Sequence, residues 1–152
     1  MQSKSISRIL MAAAAIAIGC GVLASTASAT AQSENKPCSN RTIFGDYGFA
    51  LEGVILGPGL QLRGVVLQHY DGRGNLTQVD HIVTEGMPPQ QEWTPGSGTY
   101  TVNPDCTGVA VINVPGNPNS PINLHFVVVK QGREIHQVVD ANAVSTVGKR
   151  VK

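Results

Sequence analysis

The chain has 152 residues, with 11 Lys and Arg against 10 Asp and Glu, so it carries no charge excess with which to hold a polyanion. Charged residues make up 14% of it and are scattered singly rather than in long runs, which argues against nucleic acid as a partner. Length and a 41% hydrophobic content suit one small globular domain.

Residues 1–31 read as a helical signal peptide. Lys4 and Arg8 give the positive start, Ile9 to Leu23 the apolar run, and Ala27-Ser28-Ala29 a small-residue cleavage site. Gly19, Cys20 and Gly21 interrupt the run, and it is shorter than the ~20 apolar residues of a membrane span. The predicted location is therefore secreted or periplasmic, with no membrane span once the leader is removed. Ala17-Ile18-Gly19-Cys20 resembles a lipobox, so a lipoprotein anchored at Cys20 is the minor alternative.

Loss of Cys20 with the leader leaves Cys38 and Cys106, which in an oxidising compartment predict one disulfide. It would tether a segment, residues 32–44, to a domain spanning 45–152. Closing a loop of nearly seventy residues is worth roughly 4 kcal/mol of chain entropy.

Beyond the leader no helical periodicity persists. Tyr47, Phe49, Leu51, Gly53 and Ile55 alternate with Asp46, Gly48, Ala50, Glu52 and Val54, the period of two of a half-buried strand. Leu60, Leu62, Val66 and Tyr70 give the inner set of the next strand, and Asp71-Gly72-Arg73-Gly74-Asn75 a tight turn. The return, Leu76 to Glu85, alternates poorly. Strands follow at Ser97 to Asn103, with Tyr100 and Val102 inward, and at Val109 to Val114 beyond the turn Pro104 to Gly108. Pro115 to Pro121 must be loop. Ile122, Leu124, Phe126 and Val128 resume the alternation, Gln131-Gly132 turns the chain, Ile135 and Val139 face inward, and Ala143 to Val151 closes the series.

Eight strands on short links predict an all-β, antiparallel up-and-down barrel, with a β-sandwich as the alternative. Strand parity favours the barrel: Cys38 precedes the first strand and Cys106 follows the fourth, so both fall at one end. The tight turns share that end. Gly57-Pro58-Gly59, the long Gly86 to Pro95 stretch with Met87 and Trp93, and Pro115 to Pro121 share the other, where binding sites tend to lie. Trp93 is read either as a plug folded over the barrel end, the simpler expectation, or as a lid that touches a ligand.

Gly45-Asp46-Tyr47 resembles the Gly-x-Trp opening of lipocalins, and the predicted meander is similar to lipocalin and allene oxide cyclase barrels. Gly98 to Asn103 with Asp105 to Gly108, and the Asp71 to Asn75 turn before them, resemble small exported bacterial proteins of unassigned activity. The lipocalin-type resemblance implies a cavity for a small apolar molecule at the barrel mouth. Its expected lining is Tyr47, Phe49, Leu51, Leu62, Val66, Tyr100, Phe126 and Ile135, with Met87 and Trp93 above.

No catalytic motif, phosphate loop or dinucleotide fingerprint appears, so no catalytic residue, metal or cofactor is expected. Pairing about Gln131-Gly132 sets Val127 opposite His136, with His125 diagonal to it, and pairing about the earlier turn sets Val65 opposite His81, far from His69. All four histidines read as solvated. Glu52 reads as exposed, the first candidate base only if strand parity were reversed. Three functions remain open: a non-enzymatic ligand-binding barrel, favoured; a structural or interaction module with a filled barrel, docking through the Pro-rich loops or Lys149-Arg150; and an isomerase or cyclase with a buried polar group.

Overall fold

The computed structural model describes residues 36–151. The leader, its cleavage site and Cys20 lie outside the described residues. Eight strands run in order: β1 (Gly45–Ile55), β2 (Leu60–Tyr70), β3 (Asn75–Thr84), β4 (Thr94–Val102), β5 (Thr107–Asn113), β6 (Ile122–Val129), β7 (Glu134–Val139) and β8 (Ala143–Arg150). Each pairs antiparallel with the next and β8 pairs with β1, closing an up-and-down barrel without a free edge. The fold predicted from alternation is the fold observed, and the sandwich is excluded.

Closure depends on close approach at two interior glycines. Phe49 lies opposite Gly148 across the β1–β8 seam, and Phe126 opposite Gly108 between β5 and β6, each ring covering the bare glycine backbone. At the Asp71–Asn75 turn, Gly72 and Gly74 take positive φ of 72° and 116°. The Asp71 carboxylate accepts from the N–H groups of Arg73, Gly74 and Asn75 at 2.7, 2.9 and 2.9 Å. These bonds, with one from the Asn75 side-chain amide, hold the Asp71 carboxyl down to about 2.

One end of the barrel is sealed by the N-terminal segment. Cys38 and Cys106 are bonded with their Cα atoms 5.0 Å apart, at the end where strand parity puts both. A 3-10 turn, Asn40–Ile43, lies against this end and buries Ile43 completely. Asn40 Oδ1 accepts from Val102 N at 2.7 Å, and Tyr100 Oη donates to Asn40 O at 3.2 Å. From the last strand, Arg150 donates to Thr42 O at 3.0 Å, Gly132 O at 2.9 Å, the Tyr47 hydroxyl at 2.7 Å and Phe44 O, with its guanidinium 5.0 Å from the Tyr47 ring centre. Arg150 is thus a clamp on the closure, not part of a free docking tail.

Both ends of β3 and β5 and the end of β4 shift by one or two residues from the sequence reading, and three further boundaries differ. β4 starts at Thr94, not Ser97, because Thr94 to Gly96 pair with Asp80, Val79 and Gln78 of β3. Pro95 is tolerated next to the strand's first residue. The turn after β6 is wider than two residues, since the Val129↔Glu134 pair leaves Lys130 to Arg133 as the link, yet Val127 still faces His136 as expected. β8 ends at Arg150 rather than Val151.

Candidate functional site

The barrel interior holds more polar groups than the alternation suggested. On β2 and β3, Tyr70 Oη donates to Gln68 Oε1 at 2.6 Å, Gln68 Nε2 to Gln78 Oε1 at 2.8 Å, and Gln78 Nε2 to Asp80 Oδ2 at 2.8 Å. This chain explains why β3 alternates poorly: its inward positions 78 and 80 are polar and are satisfied by one another. Burial pushes the Asp80 carboxyl up, with Gln78 and then His81 opposing. Gln137 and Thr146, adjacent on β7 and β8, also point inward and are buried.

The raised Asp80 pKa has a consequence for stability. Folding favours the protonated acid, so its contribution is full below the unfolded value of about 3.9 and is lost as pH rises through the higher folded value. Asp80→Asn keeps an oxygen for Gln78 and removes the buried charge. Its thermal midpoint is expected to exceed that of the wild type at pH 7 and to converge with it near pH ~3.5. Equal midpoints at both pH values would refute the assignment.

The residues expected to line a cavity fall into three places. Tyr47, Phe49, Tyr100 and Phe126 are inward and buried, with Val66 and Ile135, in a packed core. Tyr47 and Tyr100 lie with Tyr70 under the N-terminal closure, as an edge-to-face set with centroid spacings of 5.5 and 4.9 Å. Burial pushes the Tyr47 hydroxyl up to about 12 against the opposing pull of Arg150. Leu51 and Leu62 point inward but are partly exposed, on the halves of β1 and β2 away from the closure. Met87 is 71% exposed in the β3–β4 link. Trp93 does not fold over the barrel end: it is 46% exposed, and its ring edge meets His81 on the outer face.

Glu52 and the four histidines all point outward, as strand parity requires. His69 is bound to Asp46 at 2.7 Å, His125 to Asp140 at 2.8 Å, and His136 to Glu134 at 2.7 Å. His81 Nδ1 meets Glu92 O at 2.7 Å. Lys130 also binds Glu134, at 2.7 Å, and Lys130 with His136 holds that carboxyl down to about 2. Two acids are buried among the described residues, Glu134 beneath Lys130 and His136, and Asp80 on an inward position, so the inward acid that an isomerase would need is Asp80, not Glu52 or a histidine.

A cleft of about 1080 Å³ runs over five neighbouring strands, β1, β8, β7, β6 and β5. Its residues come in consecutive triplets from each strand, such as Ala50 to Glu52 and His136 to Val138, and none comes from the opposite wall of the barrel. That pattern places it on the outer surface, as a groove across the strands. One ridge is the register row Ala50, Val147, His136, Val127 and Thr107. The other is Glu52, Ser145, Val138, His125 and Val109. Val109, Val127, Val138 and Val147 are 44%, 44%, 49% and 40% exposed, so each ridge mixes exposed valines with polar residues. A second cleft of about 750 Å³ continues past Glu52 and Ser145 towards β2 and β3.

This groove was missed from sequence. The signal lay in β5 to β8, where valine recurs at outward positions of every strand, as Val109, Val111, Val127, Val129, Val138 and Val147. Among known proteins, no family, curated protein or solved structure matches the chain. The structure is a small eight-stranded barrel, and no similarity to lipocalin-type barrels is shown.

Proposed function

We propose that this protein is an exported, non-enzymatic interaction module, a side-chain-filled barrel that docks another polypeptide along its cross-strand groove. The observation that carries the reading is where the apolar surface lies. The inward rings are packed together, while four valines line the outer cleft of about 1080 Å³, a contiguous exposed patch of the kind that marks association sites. A filled, closed barrel supplies the rigid scaffold that such a surface needs. The Cys38–Cys106 disulfide fits an oxidising compartment, and no helix among the described residues is long and apolar enough to cross a membrane. The test is a photo-reactive residue at Val127 on the groove or at Thr77 on the outer face of β3, used in cells making the full chain. Cross-linking at 127 and not at 77 is expected. Equal labelling, or none at 127, would overturn the reading.

A second reading, a barrel that binds a small apolar molecule at its mouth, is favoured by the partial exposure of the inward Leu51 and Leu62 and by exposed Met87 at the same end. A co-purifying small molecule in native mass spectrometry, displaced by Leu62→Glu, would support it; bare protein would remove it.

A further inference from the structure

We propose that the half of the barrel away from the N-terminal closure binds a neutral aliphatic alcohol, with its hydroxyl between the side chains of Gln137 and Thr146. This rests on the second reading above, the mouth site, and names the head group that the site recognises.

The inward residues of β7 are Ile135, Gln137 and Val139, and those of β8 are Val144, Thr146 and Gly148, so one polar residue stands in the middle of each apolar set. Gln137 and Thr146 are partners across the ladder, 6% and 5% exposed. Yet Gln137 Oε1 and Thr146 Oγ1 bond to nothing among the described residues, whereas the polar groups inside β2 and β3 satisfy one another. Buried polar atoms ordinarily have partners, so two adjacent ones without any mark a place for a guest. The pair lies one inward row below Val139 and Val144, the last pair of the β7–β8 hairpin, and so ~7 Å along the strands from the rim. Both oxygens are closed off from solvent. Of the side chains around them, Phe126, Ile135 and Val144 are buried and only Leu51 and Val139 are partly exposed, so a guest enters past those two.

The wall leading to the rim is apolar. Val139 packs against the buried core, whereas Leu51, the ladder neighbour of Thr146, and Leu62 stand outside that packing. Their partners across the β1–β2 ladder are Gly64 and Gly53, which lay no side chain over them. An aliphatic chain rising from the polar pair covers both leucines, which a single water in the same seat does not. The two oxygens select the head group. Gln137 Oε1 only accepts, and the Thr146 hydroxyl donates and accepts. An alcohol fits both, donating to Gln137 Oε1 and accepting from Thr146 Oγ1. No Lys or Arg holds an inward position in this half of the strands, so a carboxylate head would be buried without a counter-charge. An ammonium would leave water for two neutral oxygens, since the inward acid, Asp80, stands on the opposite wall and accepts from Gln78.

Calorimetric titration of the purified protein with n-octanol, n-octylamine and n-octanoate at neutral pH tests this. The wild type is expected to bind n-octanol saturably, and the two charged probes at least about tenfold more weakly. Thr146→Val removes a hydroxyl that has no partner in the protein, so the thermal midpoint without ligand should hold or rise while n-octanol binding weakens about tenfold. Gln137→Leu should weaken it to a similar extent. In nuclear magnetic resonance spectra the Gln137 side-chain amide should shift with n-octanol and not with n-octanoate. If both variants bind n-octanol as tightly as the wild type, or n-octanoate binds as well as n-octanol, the hydroxyl seat is overturned and the mouth reading stands. A long-lived water at Gln137 that n-octanol does not displace overturns it too. If n-octanol does not bind, the proposal falls; the mouth reading then survives on a co-purifying molecule in native mass spectrometry and falls with it on bare protein. Cross-linking at residue 127 judges the outer groove separately.

Discussion

Replacing Cys38 and Cys106 with serine is expected to lower unfolding stability by about 4 kcal/mol, the chain-entropy value for a bridge across 68 positions. That is a large share of the 5–15 kcal/mol typical of one domain. The loss divides between two states. In the unfolded chain the link to Cys106 no longer shortens the segment from β1 through β4, so the denatured ensemble expands. The slope of urea unfolding should therefore rise as its midpoint falls. In the folded state the Asn40–Ile43 turn keeps its bonds to Val102, Tyr100 and Arg150 but loses its covalent anchor. Hydrogen exchange should accelerate first at Thr42 and Val102, whose N–H groups bond Ser39 O and Asn40 Oδ1, before strands β5 to β8 are affected. An unchanged midpoint, or exchange that accelerates uniformly, would mean that the bridge does not hold this end shut.

The same closure shows what the sequence discloses and what it conceals. Strand parity depends only on counting links, so the meeting of Cys38 with Cys106, the inward Tyr47, Phe49 and Leu51, and the outward Glu52 were all legible. The Val65–His81 and Val127–His136 pairs were legible for the same reason, since a turn fixes the register of its hairpin. Arg150 was not. A basic residue at the end of a strand reads as a solvated tail, and only three-dimensional closure brings Thr42, Phe44, Gly132 and Tyr47 around it. Gln78 and Asp80 broke the alternation of β3 because they are satisfied inside, Asp80 by Gln78 and Gln78 by Gln68 across the hairpin, and polarity alone does not say that a group has a partner there. Trp93 was misplaced for a related reason. Its side is set by β4 beginning at Thr94, a boundary hidden by Pro95. The groove exists only once β8 has met β1, so no local pattern announced it.

Gly148→Val is expected to damage the fold through space alone, since it removes no polar side chain. The backbone at Gly148 lies outside the positive-φ region, so the conflict is one of space. A Cβ built there overlaps the Phe49 ring, with Cδ1, the third-nearest atom, only 2.6 Å away. The ring is 2% exposed and packed in the core, so it has no empty volume to move into. Overpacking of this kind costs about 3 kcal/mol, as off-rotamer strain or as loss of the β1–β8 ladder. Phe49→Ala alone should cost about 3–5 kcal/mol through the cavity that it leaves. Because valine at 148 then occupies part of that cavity, the pair should cost at least 1 kcal/mol less than the sum of the single changes. Gly108, covered by Phe126 and 2.6 Å from Thr101 O at the same virtual atom, offers the parallel case on the opposite wall. There backbone also stands in the way, so Phe126→Ala should rescue Gly108→Val less completely. Strict additivity at 49 and 148 in urea unfolding would show that the seam closes by strand pairing alone, without the ring seated on the glycine.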